Sequence, residues 1–248
     1  MTMVECVAAR LVRGWQTGTR QSTGGLSLAS DADAYAVQQQ VADALGWFRG
    51  GTANIWKLGG APGGAPSTAR VPEAAVYASG WQVPSGFCFA RGIEAEIVVR
   101  LGRDLDAGCD LSTVYSAIDA WMPGIELCDT RWDEADAADA LLRLADQQIS
   151  RALILGEEQA FTPNPLWRTM GVSIQVDQVL LMTGCGSHPF GDPLSTIPWL
   201  ARHTASQSQP LRAGDLIATG SWSGLFWAPA GGRIAVNFVG AEPVLLLT

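Results

Sequence analysis

The sequence predicts an α+β domain built round a rolled or sandwiched mixed β-sheet with peripheral helices. Its 248 residues, 48% hydrophobic and 16% charged, suffice for one large globular domain. Strand-like runs dominate the middle and the end of the chain. Helical segments do not alternate regularly with these runs, as they would in a βαβ fold. These observations together favour a sheet-centred domain.

Helices are predicted from apolar spacing and from capping residues. Before residue 31 the pattern is weak. From there apolar residues recur at helical spacing between Ser30, which can cap the start, and Gly46, which can close the end. Further helices are predicted over residues 110–121, over the first part of 133–155 and over 193–203.

Strands are predicted where apolar and β-branched residues alternate or form short runs between turn residues. These segments are 53–58, 83–101, the region round residue 126, 172–182 with a turn near 177–178, 215–220 and 234–238. The Gly- and Pro-rich stretch 59–66 predicts a loop directly after the first strand.

Two glutamates one residue apart lie inside the apolar run 92–99. Alternation in a strand places Glu94 and Glu96 on the same face, where they repel each other and lose solvation unless a cation compensates. Glu126, within the apolar segment 122–128, is a third carboxylate of this kind. Three carboxylates form an all-oxygen site that suits magnesium or manganese. The alternative is an edge strand with both side chains in water.

The bulk charge excludes some partners. A net charge of -8 and a pI near 4.7 argue against nucleic acid, because few cations are available for its phosphates. No window is apolar enough for a membrane span, and residues 1–20 carry no signal-peptide pattern. Five cysteines, with no C-x-x-C pair, indicate reduced thiols. We therefore expect a cytoplasmic protein.

Several motifs follow one another in a fixed order between residues 35 and 240. They lie at 56–59 (W-K-L-G), 93–97 (I-E-A-E-I), 101–105, 125–131, 184–187, 191–194, 199–201 and 211–220 (L-R-A-G-D-L-I-A-T-G). Together they resemble the fumarylacetoacetate hydrolase superfamily. Within it, they are similar to the branch of 2-keto-4-pentenoate hydratases and 4-oxalocrotonate decarboxylases.

The resemblance implies that the three glutamates are ligands of Mg²⁺ or Mn²⁺, that Lys57 is the active-site lysine and that Glu73 is a catalytic acid. It also implies a substrate loop at Thr219 and Gly220. Lys57 is the only lysine of the chain. The alternatives are an ordinary surface ammonium group for Lys57 and an exposed loop acid for Glu73.

The resemblance also implies the family's β-roll. Residues 51–248 would form this catalytic domain, and residues 1–50 would be a helical segment packed on its core. Family members associate, so a homo-oligomer is expected, and a complex with a related enzyme of the same pathway remains open.

Two segments depart from the hydratase pattern. Residues 60–63 read Gly-Ala-Pro-Gly where hydratases continue with a Leu-Thr-Ser type run. The family's Ala-Asp-Asn-Ala-Ser type segment corresponds to residues 145–151. Either Ser150 presents its hydroxyl to the substrate from a displaced position, or Ile149 replaces the serine.

A 2-keto or 2-hydroxy-dienoate acid can chelate a divalent ion through one carboxylate oxygen and its C2 oxygen. The predicted function is therefore a hydratase that adds water to a 2-hydroxy-2,4-dienoate and gives a 4-hydroxy-2-keto acid. One alternative is a 2-keto diacid decarboxylase, which Arg151 or Arg70 facing the metal would favour. Another is a non-catalytic keto-acid-binding homologue. Only His188 and His203 are present, both late in the chain, which disfavours the His–Glu arrangement of the superfamily's C–C hydrolases.

Overall fold

Helices lie at the periphery of this computed structural model, which describes residues 1–48, 54–60, 63–133, 139–162, 166–229 and 231–248. Within these ranges they are α1 (Met3–Thr17), α2 (Asp31–Leu45), α3 (Leu111–Ala117), α4 (Ala140–Ala145) and α5 (Ile197–Ser206). None of the described helices is both long enough and apolar enough to cross a membrane.

Two β-sheets form the centre of the molecule. The described strands are β1 (Ile55–Gly59), β2 (Ser67–Arg70), β3 (Val76–Ala78), β4 (Trp81–Gln82), β5 (Gly92–Leu101), β6 (Ile118–Cys128), β7 (Ser150–Leu155), β8 (Gln159–Ala160), β9 (Gly171–Val176), β10 (Val179–Cys185), β11 (Leu216–Ser221), β12 (Phe226–Trp227), β13 (Arg233–Phe238) and β14 (Val244–Leu247). The larger sheet has the order β2-β1-β11-β5-β6-β7-β3, with β12 beside β5 and β8 beside β6. The smaller sheet has the order β10-β9-β13-β14-β4.

The main core fills the space between the two sheets. One face of β5, with Ile93 and Ile97, packs in the same apolar cluster as Ile174 of β9 and Val236 of β13. Because strand side chains alternate, the opposite face of β5 carries Glu94 and the residues in phase with it. The predicted α+β fold with packed sheets and peripheral helices is confirmed.

A second cluster joins the N-terminal helices to the sheet domain. Val7 and Leu11 of α1 pack in one buried group with Val41 of α2 and Leu142 of α4. The indole nitrogen of Trp132, in the same group, donates to the carbonyl of Leu142 at 2.9 Å. The predicted division at residues 50 and 51 falls outside the described residues, so the two-part domain organisation stays a prediction.

Several predicted elements have the predicted bounds, and others differ for tertiary reasons. Helix α2 starts at a Ser30 cap and ends at Gly46, as predicted. The helix predicted over 110–121 stops at Ala117, because the next residues pair with β5 along the whole of β6. Residues 83–91 precede β5 rather than extend it.

The bounds of α1, within the helical segment predicted over residues 1–50, were not predicted, and the long central helix is shorter than predicted. The weakly patterned start contains α1, whose Thr2 and Glu5 form a reciprocal capping box. The long helix predicted from residue 133 is reduced to α4 in its described part, because the backbone turns at residues 147–149. Residues 134–138 of that prediction lie outside the described residues.

We expect Leu11→Ala to lower the free energy of unfolding by about 2–5 kcal/mol, because Leu11 is fully buried between α1 and its neighbours. Urea unfolding measures this change. The matched control is Leu180→Ala, whose side chain is 53% exposed, with an expected change of about 0.5 kcal/mol or less. Equal effects of the two substitutions would show that the N-terminal helices unfold separately from the sheets.

Candidate metal and substrate site

The antiparallel pairing of β5 and β6 brings the predicted glutamates together. Glu94 lies directly opposite Glu126, and Glu96 lies opposite Gly124 on the same face of the sheet. One potential ligand atom each of Glu94, Glu126 and Cys128 lies within 4.8 Å of the other two. Glu96, the third ligand predicted from the sequence, is not in this group, and Cys128 belongs to it because it follows Glu126 by two residues on the strand.

Lys57 of β1 points into this cluster. Its Nζ donates to Glu126 Oε1 at 2.5 Å and to the carbonyl of Gln148 at 3.2 Å. Its side chain is only 6% exposed, so the surface alternative is wrong. Burial by itself would lower the pKa of Lys57, but the charge of Glu126 and the neighbouring acids outweighs it and raises the pKa. Lys57 is therefore a cation buried among acids.

The carboxylates outnumber the cations around them. Burial, followed by repulsion from Glu126, raises the pKa of Glu94, and the same causes raise the pKa of Glu96 well above its ordinary value. Oxygen Oε2 of Glu126 is buried and has no hydrogen-bond partner among the described residues. A single ammonium group, that of Lys57, faces three carboxylates, so the cluster has the charge and the open oxygen ligands that a hard divalent cation requires.

The end of β11, where the sequence resemblance predicts a substrate loop, borders the acids through its backbone. The Gly220 N–H donates to Glu96 Oε2 at 3.2 Å, and a φ of 107° at this residue suits glycine. The hydroxyl of Thr219 donates instead to the carbonyl of Ile97 at 2.8 Å, so its side chain faces the core. His188 Nε2 lies 3.0 Å from the Thr219 carbonyl. Gly220 thus lies at the cavity, and the contacts of Thr219 with Ile97 and His188 hold this end of β11 in place.

A strained turn closes the other side of the cluster. Gln147, Gln148 and Ile149 have φ values of 51°, 52° and 59°, a region costly for non-glycine residues. The turn aims the Gln148 carbonyl at Lys57 and brings the Gln148 amide nitrogen to the Ser67 hydroxyl. The Gln148 Oε1 atom is buried without a partner among the described residues. Such strain at a site indicates a functional constraint.

A buried ion pair holds the start of this turn. Arg131 Nε donates to Asp146 Oδ1 at 2.6 Å, and both side chains are at most 2% exposed. Arg131 also donates to the carbonyls of Asp146 and Ser150. Ser150, predicted to bind substrate, is buried and does not line the cavity. Gln148 and Ile149 line it instead.

The acids lie at the base of a cavity of about 860 Å³. Its charged lining residues among those described are Lys57, Glu94, Glu96 and Arg143. Its other walls include Leu58, Gly59, Ser67, Leu144, Gln148, Ile149, Met182, Phe190, Gly220, Ser221, Trp222 and Leu225. A largely apolar cavity with a few convergent polar groups is typical of a small-molecule site.

Three predicted residues lie elsewhere. Glu73 is exposed and borders a separate cavity of about 510 Å³ with Trp47 and Arg70, so its catalytic role stays a prediction without support from the cavity. Arg151 Nε donates to the carbonyl of Phe87 at 2.8 Å, and its guanidinium lies over aromatic rings. Neither Arg70 nor Arg151 lines the main cavity.

Two cavity residues were missed from the sequence. In the sequence, Gln148 stands out only as part of segment 145–151, which departs from the hydratase pattern. Arg143 is one basic residue in a predicted helix. The departure at 145–151 was the available signal for Gln148. No signal in the sequence points Arg143 towards the acids, because that depends on how α4 lies on the sheet.

Without metal, we expect the protein to lose stability as pH rises above 4.5, the ordinary pKa of Glu96. The folded state holds this proton more tightly than the unfolded state, so ionisation favours unfolding. Thermal melts in chelator measure this effect. Between pH 4 and 8, the melting temperature should fall less for Glu96→Gln than for the parent. Glu157→Gln, at an exposed acid outside the cavity, is the control and should follow the parent. If the melting temperatures of all three proteins fall equally with pH, Glu96 is not a buried group that ionises in this range.

Two sequence relatives are named as a decarboxylase and a hydratase. The chain is 30% identical over 153 residues to a 4-oxalocrotonate decarboxylase of Pseudomonas putida, covering 61% of this chain and 58% of the relative. It is 28% identical over 169 residues to a 2-keto-4-pentenoate hydratase of Burkholderia vietnamiensis, covering 68% and 64%. The aligned segments thus span less than two thirds of these relatives.

Solved structures extend the likeness to the whole chain. The 4-oxalocrotonate decarboxylase of Pseudomonas putida G7, in complex with magnesium and adipate, matches with a TM-score of 0.88 at 25% identity, over 100% of this chain and 98% of that one. A fumarylpyruvate hydrolase of Pseudomonas aeruginosa, in complex with Mn²⁺ and pyruvate, shares the fold with a TM-score of 0.59 at 19% identity, over 78% and 88%. The model of the fumarylacetoacetate hydrolase C-terminal family matches residues 64–241, and the chain belongs to this family.

Proposed function

We propose that this protein is a divalent-metal-dependent lyase acting on a small 2-keto or 2-hydroxy-dienoate acid. The observation that carries the proposal is the buried cluster of Glu94, Glu96 and Glu126 with Lys57 at the base of a substrate-sized cavity. The relatives named as hydratases and decarboxylases support an enzyme of this family. The first reaction we assign is hydration of a 2-hydroxy-2,4-dienoate to a 4-hydroxy-2-keto acid.

Glu94, Glu96 and Glu126 would hold the metal, which we propose to be Mg²⁺ or Mn²⁺. The Cys128 thiol is a poorer ligand, because burial and the neighbouring acids raise its pKa well above the ordinary value and keep it neutral. Related structures contain magnesium, calcium or Mn²⁺. When bound, the ion supplies positive charge opposite the negative charge that develops on the C2 oxygen of the substrate.

Lys57 is the residue we propose for proton transfer. Its Nζ is fixed between Glu126 Oε1 and the Gln148 carbonyl, which restricts the direction of its remaining N–H bond. A cation held in this way can orient an anionic acid. Its raised pKa disfavours proton release while the acids around it are uncompensated, and positive charge held by those acids would lower that pKa, so that Lys57 can donate a proton to the carbon framework as the dienol becomes a keto acid.

In the hydration, one water molecule is consumed. Its hydroxyl joins C4, and the carbon framework gains one hydrogen at C3 and one at C5. One of these comes from the water and the other from the C2 enol hydroxyl, which becomes the keto group, so neither oxidant nor reductant is required. A decarboxylase is the second candidate, favoured by the full-length structural likeness to 4-oxalocrotonate decarboxylase. In that case one carbon–carbon bond breaks, carbon dioxide leaves, and a proton replaces it. A keto-acid-binding homologue without activity would bind the same acids without turnover.

We expect Glu94→Gln and Glu126→Gln each to weaken Mg²⁺ binding by about tenfold or more, because each removes one anionic oxygen ligand. Isothermal titration of the metal-free protein with MgCl₂ measures the affinity. Glu157→Gln serves as the control for loss of a carboxylate and should bind as the parent does. Unchanged affinity in both ligand variants would rule out this metal site.

We expect Lys57→Met to lower kcat by about 100-fold or more, with Mg²⁺ affinity changed only a few-fold, because the side chain moves a proton and is not a ligand. The assay follows loss of the dienol absorbance of 2-hydroxypenta-2,4-dienoate with Mg²⁺, with Mn²⁺ and after chelation, and 4-oxalocrotonate is tested in parallel. Loss of activity after chelation is expected for the parent. Equal turnover by parent and variant would remove Lys57 from the mechanism. If the parent turns over neither acid, the result favours a keto-acid-binding homologue without activity.

A further inference from the structure

We infer that Arg143 binds the distal carboxylate of the substrate, which makes a dicarboxylic acid the preferred substrate class of this site. The inference rests on the proposed function, because it takes the metal-binding acids as the place where the first carboxylate and the C2 oxygen are held. It applies equally to hydration and to decarboxylation. It concerns a residue that the sequence did not point to.

The placement of Arg143 comes from one face of α4. Ala140, Arg143 and Leu144 all line the cavity, which is the spacing of a single helix face. Arg143 is exposed to the cavity and solvent, whereas its neighbours Leu142 and Leu144 are buried. The helix therefore anchors itself through its leucines and extends the guanidinium over the cavity.

The two cations of the cavity are not equivalent. Lys57 is engaged by Glu126 and by the Gln148 carbonyl, so its charge belongs to the acid cluster. Over the described ranges, the Arg143 guanidinium has no carboxylate within ion-pair distance and no hydrogen-bond acceptor. A guanidinium presents paired N–H donors that match the two oxygens of a carboxylate. Arg143 is thus the cation available to a second acid group.

Much of the remaining cavity lining is apolar, beside uncharged polar residues that include Ser67, Gln148 and Ser221. Ile149, Phe190, Trp222 and Leu225 line the cavity together with Leu144. Apolar and uncharged polar side chains cannot neutralise a buried carboxylate, so among the described lining residues the charge that favours an acid group lies at the acid-and-metal end and at Arg143. A chain with a chelating 2-keto acid at one end, an apolar middle and a carboxylate at the other end complements this arrangement.

The other arginines considered for this role are engaged elsewhere. Arg151 donates to the Phe87 carbonyl and lies over the Trp15 and Phe87 rings. Arg70 is held by side chains outside the cavity, including Gln209. The distinction between a monoacid and a diacid therefore depends on Arg143 among the described lining residues.

The test compares two unreactive chelating acids that differ only in the distal group. They are 2-oxohexanedioate and 2-oxohexanoate, titrated calorimetrically into the Mg²⁺-loaded full-length protein. We expect the parent to bind the diacid about tenfold or more tightly than the monoacid. Arg143→Gln should reduce diacid affinity to the monoacid level and leave monoacid affinity unchanged. The matched control is Arg202→Gln, at an exposed arginine of α5 that does not line the cavity, and it should behave as the parent.

The outcomes separate this inference from the proposed function. Equal affinity of the parent for both acids, or an equal loss of both in Arg143→Gln, overturns the role of Arg143 and leaves the metal-dependent site standing. Failure of the Mg²⁺-loaded parent to bind either acid overturns the proposed function and this inference together. An Arg143→Lys variant adds a check on geometry, because a point charge should restore only part of the diacid preference.

Discussion

The pairing of Glu94 with Glu126 across two adjacent buried strands is the constraint on which the site depends. Carboxylates at this separation destabilise the folded chain unless positive charge and hydrogen-bond donors surround them. The neighbouring elements supply these groups: Lys57 from β1 and the Gly220 N–H from the end of β11. The charge they leave uncompensated is what gives the cluster its affinity for a cation.

The same constraint explains the irregular backbone nearby. Gly220 lies where the β11–β5 register shifts, which turns its N–H towards Glu96. On the opposite side, the left-handed turn ending at Ile149 directs a carbonyl at Lys57, and the Arg131–Asp146 pair holds the turn from behind. Strain and a buried ion pair are both unfavourable taken alone. Together they hold the Gln148 carbonyl against the Lys57 ammonium group.

Local patterns predicted a large part of the fold. The cap at Ser30 and the turn at Asp177 are local signals, and the structure has the helix and the hairpin that they indicate. The prediction extended the helix beyond Ala117 because helical and strand patterns overlap there, and pairing with β5 decides the outcome. The helical segment predicted over residues 1–50 carried no bounds for α1, because the apolar face of that helix is meaningful only against α2 and α4.

Sequence patterns alone predicted the acids and the lysine at the base of the site. Strand alternation puts Glu94 and Glu96 on one face, and a single lysine in an acidic chain marks the balancing cation. The tertiary structure decided which other residues reach that base. It turned the Thr219 side chain into the core, left Ser150 and Glu73 outside the cavity, and brought Arg143 over it. The physical reason is that alternation is a property of one strand, whereas the position of a helix over a sheet depends on packing between residues far apart in the chain.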